Sequence, residues 1–224
     1  MTEAVETIKK KTKRAVIVDC GSSFLRSLID VLHTNKILPY VVPSNSPFDE
    51  ITSLNPNVII ISGSGLSVNH KKSPKPDIAI LQQPHIPVLG ICYGLQYITH
   101  VLGGEVKTSS DKETGVTEIY FNITMDENAI ARIPEGVINS LEHNQGSILY
   151  TNFHEGARVW MSHVCQVTKT APGFITTAIS ENFSVASIER DNIYGVHFHP
   201  EKRAEPDKDT GNGDLILESF LNFI

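Results

Sequence analysis

The apolar positions along the chain follow two different patterns, and the change comes at Gly103-Gly104. Before it, short continuous apolar runs alternate with segments of helical period. Ala15-Val16-Ile17-Val18-Asp19 is one such run, and a run without a polar face predicts a strand covered on both sides. From Phe24 the apolar residues Phe24, Leu25, Leu28, Ile29 and Leu32 recur at helical spacing, with Ser22 or Ser23 placed to cap the helix. The unit then repeats: a strand over 38–42, a short helix over 48–54 and a strand over 58–62. After a loop rich in Lys and Pro come a helix over 77–82, a strand over 87–91 and a helix over 94–102. Such alternation predicts an α/β fold of flavodoxin-like type, a mostly parallel central sheet with helices on both faces. Beyond Gly104 the pattern shifts to β-rich stretches over 116–121, 157–161, 174–179, 184–188 and 193–198. These predict a smaller antiparallel excursion that returns to the main sheet, closed by a helix from about Asp214. Residues 122–156 carry no legible pattern.

Composition narrows the function classes. With 40% apolar residues the 224-residue chain can bury a core, so global disorder is excluded. Nineteen Lys and Arg against 25 Asp and Glu leave a net charge of −6, which argues against bulk binding to nucleic acid or an acidic membrane. No apolar stretch reaches membrane-spanning length, and the first residues lack a signal core. The three cysteines, Cys20, Cys92 and Cys165, are widely spaced. They form neither a disulfide framework nor a repeated metal motif, so a reducing, cytoplasmic setting is expected. Residues 1–13 end in the basic run Lys9-Lys10-Lys11-Thr12-Lys13 and read as a polar, flexible arm. With no internal repeat, 14–224 reads as one domain.

The sharpest chemical signal is Gly90-Ile91-Cys92-Tyr93-Gly94-Leu95-Gln96, where a buried strand runs through G-x-C-x-G straight into a helix. That is the sequence form of a nucleophile elbow: the central residue sits in a strained turn, and the flanking glycines let strand and helix approach closely. Cys92 would then lie at a helix N-terminus, where unpaired N–H groups and the helix dipole favour a thiolate. The bland alternative is a buried structural cysteine flanked by chance glycines. Near the far end stands Gly195-Val196-His197-Phe198-His199-Pro200-Glu201. In an extended strand 197, 199 and 201 share a face, which offers His199 as a base and Glu201 as its orienting partner. A rival reading takes His197 and His199 as metal ligands, with Cys92 or Glu201 completing the set. A third element, Ile61-Ser62-Gly63-Ser64-Gly65, empties a strand into a small-residue loop whose N–H groups could meet a developing oxyanion.

Taken together these motifs resemble class I glutamine amidotransferases from about Arg14 onward. Within that family, Val159-Trp160-Met161-Ser162-His163 with Gln166-Val167-Thr168-Lys169 and Pro172-Gly173-Phe174 is most similar to the glutaminase part of the GMP-forming branch. The resemblance implies a catalytic triad of Cys92, His199 and Glu201, with no metal. It implies an oxyanion hole from the N–H groups of Ser64 and Tyr93. Glutamine would be held by Gly63, Gln96 and the backbone from Ser162 through His163 and Val164 to Cys165. It also implies hydrolysis of L-glutamine through a γ-glutamyl thioester. The ammonia would pass to an ATP-pyrophosphatase partner, subunit or domain, that uses ATP and Mg²⁺ to aminate xanthosine monophosphate. No cofactor is expected in this chain, and neither nucleic acid nor membrane is an expected partner. Four positions depart from the family pattern: the loop Gly63-Ser64-Gly65 in place of Gly-Gly-Pro, Val164-Cys165 in place of a small polar pair, His197 in place of Gln, and Gly21-Ser22-Ser23-Phe24 in place of Gly-Ser-Gln-Tyr. If position 164 required positive φ, a β-branched Val there would be strained. The departures keep two alternatives open: a free-standing hydrolase of another γ-glutamyl amide, and a non-catalytic regulatory domain.

Overall fold

The computed structural model describes residues 12–121, 131–133, 135–138, 147–153, 156–202 and 211–224. Residues 1–11 of the arm 1–13 and most of the illegible stretch 122–156 lie outside the described residues. From the first strand the chain builds β1 (Arg14–Asp19), α1 (Leu25–Thr34), β2 (Leu38–Pro43), α2 (Phe48–Ser53), β3 (Val58–Ile61), β4 (Val88–Ile91) and α3 (Tyr93–Val101). Then follow β5 (Glu105–Tyr120), a short α4 (Glu135–Ile138), β6 (Gly156–Lys169), β7 (Ile175–Ser180), β8 (Val185–Arg190), β9 (Ile193–Val196) and α5 (Gly213–Phe223). The expected helix over 77–82 is a single 3₁₀ turn, Ile78–Leu81. Asp77 caps it by accepting from the Ala79 N–H at 3.0 Å, and it ties the turn to the start of α2 by accepting from the Phe48 N–H at 3.0 Å.

The nine strands of the described residues join one sheet in the order β2-β1-β3-β4-β9-β8-β7-β5-β6. The pairs from β2 to β9 are parallel and those from β9 to β6 antiparallel. The return to the main sheet is therefore made by β9, which pairs in parallel with β4 from Val88↔Ile193 to Ile91↔Val196. The antiparallel half is larger than the pattern predicts, because β5 and β6 run for 16 and 14 residues. Their polar stretches hide them: β6 alternates buried and accessible positions along its whole length, as a half-solvated strand must. Its partner β5 pairs Lys107, Thr108, Glu113 and Thr114 with β6 against local propensity, with a bulge at 109–112 between them.

Successive residues of the parallel strands feed opposite faces. Ile17, Ile60 and Leu89 pack with Leu28 and Leu32 of α1 and Phe220 of α5. Val16, Ile59 and Val88 pack with Ile51 of α2 and Leu95 and Ile98 of α3. Each fully buried aliphatic side chain of this kind contributes about 1.5–3 kcal/mol relative to exposure. Helices on both faces leave the carboxyl ends of β1, β3, β4 and β9 as the open edge of the parallel half. Among the described residues no helix is long and apolar enough to cross a membrane.

Candidate active site

Cys92 is the only residue between β4 and α3, and it takes φ 52° and ψ −99°. A non-glycine residue there is strained, so the surroundings must impose the conformation. They do so from both sides: the Cys92 N–H donates to Val196 O at 2.7 Å, and Cys92 O accepts from the Gln96 N–H at 3.1 Å. The flanking glycines are required by close approach. A Cβ on Gly94 would stand 2.3 Å from Ile61 O, and one on Gly90 would stand 2.6 Å from the backbone of Gly94. The sulfur is thereby held at the N-terminus of α3, where the helix dipole favours negative charge.

The second half of the site arrives from β9 in a way the sequence pattern did not predict. The strand stops at Val196; the His197 N–H still donates to Ala186 O of β8 at 2.8 Å, and 199–202 then form a turn. Here the His199 N–H donates to Trp160 O at 2.8 Å and the Lys202 N–H closes back on His199 O at 3.1 Å. Pro200 occupies the second turn position, which its fixed φ suits. The turn, rather than strand alternation, brings Glu201 back to His199, with Nδ1 donating to Oε1 at 2.9 Å. Burial works against a charged imidazole, but the Glu201 carboxylate and the nearby Cys92 side chain outweigh it and raise the His199 pKa to about 10. The shift favours the protonated ring. The Phe24 ring packs on the imidazole at 4.4 Å. The Lys202 ammonium covers the same corner, 5.7 Å from the Phe24 ring and 5.4 Å from that of Trp160.

The other expected residues divide. Gly63 lies against the imidazole, since a Cβ there would meet His199 Cε1 at 3.2 Å. Ser64 continues the same loop, its hydroxyl accepting from the Leu66 N–H at 3.2 Å. Tyr93 opens α3, where the first N–H groups have no intrahelical partner; its phenol is occupied elsewhere, donating to Pro74 O. Ser162 reaches the elbow through its backbone, with Ser162 O 3.9 Å from Cys92 Sγ. Val164 is 45% exposed and is not among the described residues with positive φ. Its branching thus costs no backbone strain. His163 and Cys165 alternate inward, the Cys165 thiol donating to Ser67 Oγ at 3.3 Å.

His197 does not stand beside His199 as the strand reading required. Its ring is buried, with Nδ1 3.2 Å from Val185 O and Nε2 3.0 Å from Gln96 Nε2. Both nitrogens are engaged there, so the pairing of His197 with His199 on one metal is not what the fold builds. Sequence reasoning missed Glu113, which lies 3.2 Å from His163, and the corner formed by Phe24, Trp160 and Lys202. Glu113 sits in a polar run without a local partner, so only the β5–β6 register reveals it.

The chain can now be set beside known proteins. It is 32% identical over 217 residues to the GMP synthase [glutamine-hydrolyzing] of Corynebacterium diphtheriae, covering 96% of this chain and 36% of that protein. It is also 32% identical over 208 residues to the one from Acetivibrio thermocellus, covering 92% of this chain and 35% of that protein. The chain thus spans about a third of the length of these relatives. In fold it is similar to PurLQS from Thermotoga maritima, with a TM-score of 0.65, 18% identity and coverage of 95% of this chain and 99% of that one. A glutamine amidotransferase from the same organism gives a TM-score of 0.60 at 15% identity, covering 95% and 82%. The model of the glutamine amidotransferase class-I family matches residues 16–215. A chain matched over that span, folded in this way around a cysteine elbow, belongs to the class-I glutamine amidotransferase family.

Proposed function

We propose that the chain hydrolyses L-glutamine and supplies the ammonia to a synthetase partner. The observation that carries this reading is the linked set Cys92, His199 and Glu201 on a positive-φ elbow. In this reading the raised His199 pKa suits it to give up a proton first. The thiolate of Cys92 attacks the side-chain carboxamide carbon of glutamine, and the oxyanion that forms is met by the N–H groups of Tyr93 and Ser64. His199 gives its proton to the departing amine, so ammonia leaves and a γ-glutamyl thioester remains. Neutral His199 then takes a proton from water as it attacks the thioester; glutamate departs, and the sulfur and the ring return to their starting forms. Glu201 keeps the ring oriented and supports its charge.

The partner in this reading is an ATP-pyrophosphatase that uses ATP and Mg²⁺ to activate xanthosine monophosphate, with ammonia as the nucleophile that yields GMP. Supporting it are the names and lengths of the relatives, of which this chain matches about a third. Three unpaired buried thiols suit a cytoplasmic setting. The test is glutamate release by the chain alone and then with such a partner, ATP, Mg²⁺ and xanthosine monophosphate. Stimulation by partner and nucleotide together is the expected result. Release that responds to neither would favour a free-standing hydrolase, and absence of release under both conditions would overturn the glutaminase reading.

A further inference from the structure

A second buried acid–imidazole pair lies behind the elbow, and the mechanism above makes no use of it. Glu113 on β5 faces His163 on β6 across the antiparallel register, with Oε2 3.2 Å from Nε2. The same carboxylate accepts from Ser180 Oγ at 2.7 Å, Ser184 Oγ at 2.5 Å and Asn182 Nδ2 at 3.1 Å. Burial opposes its charge, but these donors and His163 prevail and lower its pKa to about 2. His163 in turn lies flat on His197, with ring centroids 3.7 Å apart and planes 8° from parallel.

The partners of His197 determine which nitrogen carries hydrogen. A carbonyl oxygen can only accept, so the nitrogen facing Val185 O, Nδ1, holds the proton. Burial, reinforced by His163, pushes the His197 pKa well below its ordinary value, and the ring is neutral. Nε2 then has a bare lone pair, and only an N–H can face it. Gln96 must therefore turn its NH₂ group to His197, which leaves its carbonyl oxygen as the free acceptor. That oxygen takes no hydrogen bond among the described residues. Gln96 stands one helical turn beyond Cys92 on α3.

We infer that His197, clamped between Val185 O and the His163–Glu113 pair, is a positioning residue that fixes the Gln96 carboxamide oxygen-outward and so selects substrates with an N–H donor, the α-ammonium of glutamine. The identity of that substrate rests on the glutaminase reading. An amide lacking the amine leaves a desolvated acceptor unpaired, which is the strongest basis for rejecting a near-isostere.

The test compares L-glutamine with glutaramate, which has the same carboxamide and carboxylate but no amine. The readout is protection of Cys92 from iodoacetamide, which requires binding and not turnover. The unsubstituted chain is expected to prefer glutamine. His197→Leu should cut that preference by about tenfold to a hundredfold by weakening glutamine and leaving glutaramate unchanged. His197→Gln can donate to Val185 O and accept from Gln96, and should restore the preference. Equal weakening of both compounds in His197→Leu, or no rescue by His197→Gln, would reduce the residue to packing and overturn the inference. Protection without turnover would sink the glutaminase reading alone. If neither compound protects, ¹⁵N shifts of the imidazoles decide: hydrogen on Nδ1 of His197 with an altered Gln96 amide signal in His197→Leu supports the inference, and hydrogen on Nε2 overturns it.

Discussion

The two buried acid–imidazole pairs use the same chemistry to opposite ends. In His199–Glu201 the carboxylate has one engaged oxygen, while Glu201 Oε2 is buried without a hydrogen-bond partner among the described residues. In His163–Glu113 the carboxylate accepts from two hydroxyls and an amide, and His163 Nε2 lies 3.2 Å away without hydrogen-bond geometry. A carboxylate with few other donors lends its charge to the ring it touches, and here it helps hold His199 as an imidazolium to a pH of about 10. One that is already satisfied holds position. The contrast separates a pair able to move protons from a pair that anchors the β5–β6 ladder behind Gln96.

The largest effect should come from removing the sulfur, which only the first pair serves. Cys92→Ala is expected to abolish glutamate release while leaving synthesis from added ammonia by the partner intact. Loss of both, measured in the same coupled assay, would make the residue structural. Next come the ring and its acid. His199→Ala should lower kcat by about 10⁴-fold or more, and Glu201→Gln by less, since it orients and does not transfer. Glu113→Gln should act on KM for glutamine more than on kcat. If Glu113→Gln and Glu201→Gln gave the same kcat loss with unchanged KM, the distinction between the two pairs would collapse.

How legible each pair was in the sequence follows from the distance along the chain over which it is assembled. His199 and Glu201 are two residues apart, and the G-x-C-x-G elbow is local, so their chemistry shows as a motif. The strand ends close to Pro200 as expected, but it stops at Val196, so Glu201 meets His199 through a turn and not across one strand face. The parallel half was visible because its strands are apolar on both faces, as in Val58–Ile61. The Glu113–His163 pair required the register between β5 and β6, including the shift between Thr108 and Glu113. Nothing local in Lys107 to Thr114 signals a strand, and only the pairing on either side of the 109–112 bulge places it there. His197 looked like a metal partner for His199 by spacing alone, and it became something else once Val185 and Gln96 were placed beside it.

A smaller effect, on geometry, isolates the elbow from the second pair. Gly94→Ala places a Cβ 2.3 Å from Ile61 O, and overpacking of this kind costs about 1–3 kcal/mol. The strain falls on α3 and Cys92, so glutaminase activity should decline. The stacked rings of His163 and His197 should keep their imidazole signals. An alanine variant with full activity and unchanged denaturation midpoint would show that the close approach is not needed.

The smallest effect is also the most specific, because it reads the second pair without any substrate. Glu113 has a folded pKa near 2 against an ordinary value of 4.5. A depressed carboxylate contributes stability that is fully present above the unfolded value and is lost as pH falls through the folded one. Between about pH 5 and pH 2 the unsubstituted chain should therefore lose on the order of 2–3 kcal/mol that Glu113→Gln, with nothing to protonate there, does not lose. At pH 7 the variant should be the less stable of the two, since the donors that faced a carboxylate then face a neutral amide. The two stability curves, measured by denaturant titration, should converge as the pH is lowered. His197 adds a destabilising step below its ordinary pKa of 6.5, because a ring buried neutral must be charged on acidification, and that step belongs to both proteins. Curves that stay parallel from pH 7 to pH 3 would mean that the Glu113 charge does not hold the ladder.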